Sequence, residues 1–130
     1  MNTKKTILII DDDVDYLFQM KTYIEGFGFN VVTAGSQKEG EETIQTMKPD
    51  LVICDLMMEQ KDSGFIMCYK LKQKYPEVPV ILATAVTSET GMMFGLNNNE
   101  ERSWIKADSY MTKGIRPDQL HREITTLLKM

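Results

Sequence analysis

The 130-residue sequence has only two cysteines and a single histidine. Cys54 and Cys68 belong to no CxxC or Cys/His pattern, which argues against a zinc site. Each cysteine lies in an apolar segment, so we expect reduced thiols buried in the core. No apolar run approaches the roughly 20 residues of a membrane-spanning helix, and the first apolar segment is too short for a signal peptide. We therefore expect a cytoplasmic protein without membrane insertion.

The sequence also lacks an excess of positive charge. It has 15 Lys and Arg residues against 19 Asp and Glu residues, a formal net charge of -4 at pH 7. Such a domain is a poor candidate for direct binding to nucleic acid, because the phosphate backbone attracts basic surfaces. Hydrophobic residues make up 42% of the chain, enough for one core. We predict a single domain over residues 1–130.

Five short apolar segments alternate with amphipathic segments along the chain. The first, Thr6–Ile10, is continuous and β-branched, as in a strand buried on both faces. The other predicted strands are Phe29–Thr33, Leu51–Cys54, Val80–Ala83 and Ser109–Met111. Strand and helix alternate five times, which predicts an α/β fold with a parallel sheet and helices on both faces.

Helical spacing and capping residues mark the segments between these strands. Ser36 with Glu39 three residues later is a capping-box signature for the second helix. Thr87 or Ser88 would cap a fourth helix, and Pro117 suits the first turn of the fifth. The predicted apolar face of the first helix consists of Val14, Leu17, Phe18, Ile24 and Phe27.

Polar and charged residues follow four of the five predicted strands. Asp11 and Asp12 follow the first strand, Asp55 the third, Thr84 the fourth and Lys113 the fifth. In an open parallel sheet, ligands bind beyond the carboxyl ends of the strands. Three carboxylates gathered there would resist full ionisation without a cation, and an ammonium and a hydroxyl would hold an anion. These groups are the ones that phosphoryl transfer to a carboxylate needs.

Four segments together resemble the response-regulator receiver domain over essentially the whole chain. They are Ile9–Asp13, Val52–Met58, Leu82–Ala85 and Tyr110–Lys113. The resemblance implies a three-layer sandwich of the flavodoxin-like kind, with a five-stranded parallel sheet of order 2-1-3-4-5 and five helices. It also implies two-component signal transduction. A sensor histidine kinase or a histidine phosphotransfer protein would donate the phosphoryl group, and a downstream protein would read the result.

The resemblance also implies a role for each site residue. Asp55 would be the phosphoacceptor and a ligand of Mg²⁺, for which Mn²⁺ could substitute. Asp12 would bind the metal directly, Asp11 mostly through water, and Met57 through its backbone carbonyl.

Three further residues would respond to the phosphoryl group. Thr84 and Lys113 would each contact a phosphoryl oxygen, and Tyr110 would change rotamer as Thr84 moves. The switched surface would be the fourth helix, fifth strand and fifth helix. No turnover of an external substrate is implied.

Two alternatives remain beside this interpretation. Gly114 follows Lys113 where receivers commonly have a cis-proline, so we expect a trans bond or a different loop. In the first alternative, Gly114 and an altered loop have disabled switching, and the chain is a receiver-like interaction module that works without phosphorylation. The second alternative is a phosphatase of the haloacid-dehalogenase type. That family has an Asp-x-Asp-x-Thr/Val motif after its first strand, whereas Asp15 occupies the fifth position here.

Overall fold

The computed structural model of the chain describes residues 4–56, 63–84 and 108–130. The described strands are β1 (Thr6–Ile10), β2 (Asn30–Ala34), β3 (Leu51–Asp55), β4 (Val80–Thr84) and β5 (Ser109–Thr112). The described helices are α1 (Val14–Gly26), α2 (Gln37–Thr46), α3 (Ser63–Lys74) and α4 (Pro117–Leu127). All neighbouring strands are parallel and the sheet order is β2-β1-β3-β4-β5, which confirms the predicted topology.

Two apolar clusters occupy the two faces of the sheet. Successive side chains of a strand point to opposite faces, so each central strand contributes to both clusters. The cluster under α2 and α3 includes Ile10, Ile44, Cys54, Cys68 and Leu82. The cluster under α1 and α4 includes Ile9, Ile24, Ile53, Ile81 and Ile124. The result is the expected three-layer sandwich, with both cysteine thiols buried in its core.

The predicted starts of α2 and α4 are confirmed. Ser36 Oγ accepts a hydrogen bond from the backbone N–H of Glu39 at 3.0 Å, and Pro117 begins α4. No peptide bond among the described residues is cis, so the Lys113–Gly114 bond is trans as expected. The helix predicted after Thr87 or Ser88 lies outside the described residues.

The predicted apolar face of α1 is wrong at two positions. Val14 and Phe18 are 74% and 73% exposed, whereas Tyr16 and Met20 are buried. The register of the first turn explains the difference. The Asp13 carboxylate caps the helix by accepting the backbone N–H groups of Asp15 and Tyr16, which turns Val14 and Phe18 toward solvent.

A glycine allows α3 to begin directly against the end of β3. A Cβ added at Gly64 would lie 2.5 Å from Leu56 Cα and would also collide with the carbonyl oxygen of Asp55. The Gly64 N–H instead donates to the Leu56 carbonyl at 2.9 Å. Gly64 therefore brings the start of α3 close to the backbone of Asp55.

None of the helices in the described ranges is both long and apolar enough to span a membrane.

Candidate functional site

Three carboxylates meet beyond the carboxyl ends of β1 and β3. One oxygen from each of Asp11, Asp12 and Asp55 lies within 4.8 Å of the others. The register explains this meeting, because Ile10 pairs with Cys54 and the next residue of each strand is an aspartate. Asp11 and Asp55 are buried and Asp12 is exposed, so the group has one side open to solvent.

Lys113 supplies a positive charge to this group. Its Nζ lies 2.8 Å from Asp11 Oδ2 and 3.3 Å from Asp55 Oδ2. Burial of the Lys113 ammonium by itself lowers its pKa, but the contacts with Asp11 and Asp55 outweigh burial and raise the pKa. Lys113 is therefore a charged partner for both buried carboxylates.

A backbone hydrogen bond fixes the position of the Lys113 main chain. The Lys113 N–H donates to the Thr84 carbonyl at 3.0 Å, which extends the β4–β5 ladder by one residue. Thr84 is itself buried at the end of β4. β4 neighbours β3, and Asp55 pairs in register with Ala83. Thr84, which carries the hydroxyl, is therefore the residue directly after Ala83, the register partner of Asp55.

Tyr110 lies in β5 and packs, half-buried, against the cluster under α2 and α3. Met57, whose carbonyl was expected to bind the metal, lies outside the described residues. Asp13 was not predicted to be a site residue, and its carboxylate caps α1.

Tyr16 is a residue that sequence reasoning missed. Its ring lies under the Lys113 ammonium, 4.9 Å from Nζ to the ring centroid, and only 8% of the residue is exposed. Burial raises the pKa of its phenol, and the charges of Asp11 and Asp55 raise it further. The spacing Tyr16, Met20, Ile24 was the available signal, because these positions form the buried face of α1.

The donor set of this site fits a divalent cation. Asp11 Oδ2 is buried, and the Lys113 ammonium at 2.8 Å is its charged partner. Two buried carboxylates beside a third repel each other, and a cation among them removes the repulsion. Exposure of Asp12 suits a metal that retains several water molecules. Asp11, Asp12 and Asp55 are thus the residues that could hold such an ion.

Comparison with known proteins gives a consistent picture. The family model of the response regulator receiver domain matches residues 7–125. The chain is 30% identical over 125 residues to the alkaline phosphatase synthesis transcriptional regulatory protein PhoP of Bacillus subtilis, covering 96% of this chain and 49% of that protein. It is 32% identical over 126 residues to the probable transcriptional regulator ycf27 of Cyanophora paradoxa, covering 97% and 49%. The chain thus spans about half the length of these curated relatives.

Solved structures of similar proteins share the fold. A CheY-like response regulator receiver domain protein from Methanospirillum hungatei matches with a TM-score of 0.83 and 27% identity, covering 98% of this chain and 95% of that one. A response regulator receiver domain protein from Clostridium thermocellum matches with a TM-score of 0.80 and 28% identity, covering 96% and 94%.

Proposed function

Because the chain belongs to the response regulator receiver domain family, we propose that it accepts a phosphoryl group on Asp55 in a magnesium-dependent reaction. The donor is a sensor histidine kinase or a histidine phosphotransfer protein. The observation that carries the proposal is the position of Asp55. It is a buried carboxylate at the end of β3, within ligand distance of two further carboxylates and 3.3 Å from the Lys113 ammonium.

The phosphoryl group passes from a histidine nitrogen of the donor to a carboxylate oxygen of Asp55. A carboxylate oxygen of Asp55 attacks the phosphorus, the bond from phosphorus to the donor's histidine nitrogen breaks, and an acyl phosphate forms. The histidine nitrogen leaves with the bonding electron pair. Bound Mg²⁺ would neutralise charge on the phosphoryl oxygens and on the acids that hold it.

The residues of this chain position and neutralise the group. Lys113, whose ammonium lies beside Asp55, pairs with a phosphoryl oxygen. The Thr84 hydroxyl donates to another oxygen, and Tyr110 follows this movement. Through these residues, the charge added by the phosphoryl group shifts the equilibrium between two conformations of the molecule.

The output of the switch is a changed surface. We place that surface on the helix predicted after Thr84, on β5 and on α4, and a downstream protein reads it there. Two curated relatives carry names of transcriptional regulators, which supports a role in signalling to transcription. The acidic balance of this chain argues against direct contact between these residues and nucleic acid.

Incubation with acetyl phosphate and Mg²⁺, read by intact mass, tests the proposal. The wild type is expected to gain one phosphoryl group and Asp55→Asn none. Asp13→Asn is the matched control, because it makes the same change beside the site and asparagine still caps a helix. It should gain the group like the wild type. A wild type that gains nothing would favour the phosphorylation-independent module, and Asp55→Asn that still gains the group would place the acceptor elsewhere.

A further inference from the structure

The contact between Tyr16 and Lys113 joins two distant parts of the chain at the site. Tyr16 lies in the first turn of α1 and Lys113 follows β5, yet the ammonium lies 4.9 Å from the centroid of the tyrosine ring. Two carboxylate oxygens approach the same ammonium at 2.8 and 3.3 Å. Lys113 thus has two acids and one aromatic face around its charge.

Lys113 needs such a restraint. A lysine side chain has a flexible four-carbon stem and a strongly hydrated, compact charge. The next residue, Gly114, adds conformational freedom, and a Cβ there would meet no atom within 4 Å. Neither the stem nor the following backbone fixes where the ammonium lies.

We propose that Tyr16 is a positioning residue for Lys113, and that its ring face holds the ammonium beside Asp55, where the incoming phosphoryl group must be neutralised. The proposal rests on the proposed function. An aromatic face within about 6 Å attracts a cation, and the attraction strengthens when water is excluded. Exclusion applies here, because the ring is buried and the Lys113 side chain is only 23% exposed.

The aromatic ring of Tyr16, and not its hydroxyl, positions Lys113. Tyr16 Oη is buried and has no hydrogen-bond partner in the described part of the chain. The raised pKa of the phenol keeps it neutral, so it offers no negative charge to the lysine. Phenylalanine would present the same face to Lys113, whereas leucine would fill space without attracting a cation.

Two variants separate these roles. With acetyl phosphate and Mg²⁺, Tyr16→Phe should accept the phosphoryl group at a rate within about twofold of the wild type. Tyr16→Leu should be slower by about three- to tenfold, the range expected for a partly desolvated cation–π contact. In a Lys113→Ala background, Tyr16→Leu should cause no further loss, because its effect acts through the lysine.

A spectroscopic signature reads the contact without phosphorylation. The ring current of Tyr16 should move the Lys113 ε-methylene proton resonances upfield in the wild type and in Tyr16→Phe. The shift should disappear in Tyr16→Leu, whose unchanged circular dichroism would show that the fold is intact.

Three outcomes would overturn the inference. They are a Tyr16→Leu protein that reacts at the wild-type rate, an equal loss in the Lys113→Ala background, and wild-type ε-methylene resonances without the upfield shift. Failure of the wild type itself to gain a phosphoryl group would instead contradict the proposed function, and the resonance shift would still test the contact.

Discussion

At the residue scale, two tyrosines differ in how their hydroxyl groups are satisfied. Tyr75 Oη donates to the Ile44 carbonyl at 3.0 Å, whereas Tyr16 Oη is buried without a partner among the described residues. A hydrogen bond contributes about 1 kcal/mol net, and an unsatisfied buried polar group costs free energy. The same chemical change should therefore have opposite consequences at these two positions.

We predict that Tyr75→Phe lowers the free energy of unfolding by about 1 kcal/mol. Tyr16→Phe should leave the free energy of unfolding unchanged or raise it by up to about 1 kcal/mol, since it removes a polar atom that lacks a partner. Urea denaturation of both variants beside the wild type measures this. A larger loss for Tyr16→Phe than for Tyr75→Phe would show that the Tyr16 hydroxyl has a stabilising partner.

The raised pKa of Lys113 predicts how the free energy of unfolding changes at alkaline pH. Burial alone would lower its pKa, but Asp11 and Asp55 raise it above the unfolded value. The charged lysine therefore stabilises the fold fully below the unfolded pKa of about 10.4, and this contribution is lost as pH rises through the higher folded pKa. As the pH rises above about 10.4, Lys113→Met should lose less stability than the wild type. Parallel pH profiles of urea midpoints would contradict this account.

At the scale of elements, the approach of α3 to β3 depends on Gly64. The methyl group of Gly64→Ala would overlap the backbone of Asp55 and Leu56. We expect a loss of unfolding free energy of about 2 kcal/mol or more, and slower phosphorylation because Asp55 shifts.

Gly26→Ala is the matched control for this prediction. A Cβ at Gly26 meets nothing within 4 Å, and the residue lies in α1, where alanine is favoured over glycine. Its unfolding free energy should stay constant or rise by up to about 1 kcal/mol. Urea denaturation measures both variants. Equal stability of Gly64→Ala and the wild type would mean that α3 moves without cost.

The elements were predictable where a local signal decides the structure. Continuous β-branched runs gave the strands to within about a residue, and Ser36 gave the start of α2. The inner face of α1 was not predictable from apolar spacing alone. The Asp13 cap sets which residues of α1 face the core. The buried position in the first turn is Tyr16, which the apolar pattern omits because its side chain carries a hydroxyl as well as an apolar ring.

At the scale of the whole molecule, the topology assembles the site. β1 and β3 are adjacent, β4 and β5 follow on one side, and all run parallel. Residues distant in sequence therefore share one edge, which is why Asp11, Asp12, Asp55 and Lys113 could be predicted to meet. Two contacts of Lys113, the ion pair with Asp11 and the contact with the Tyr16 ring, could not be predicted from the sequence. Both depend on how side chains from different elements pack together.

The most direct test of the central claim is to identify the residue that carries the phosphoryl group. Borohydride reduces an acyl phosphate of aspartate to homoserine and leaves ordinary carboxylates unchanged. After treatment with acetyl phosphate and Mg²⁺, then borohydride and proteolysis, mass mapping should find homoserine at position 55 and only there. It should be absent when Mg²⁺ is chelated before acetyl phosphate is added. Homoserine at another aspartate, or an unchanged Asp55 in protein that has gained a phosphoryl group, would contradict the account.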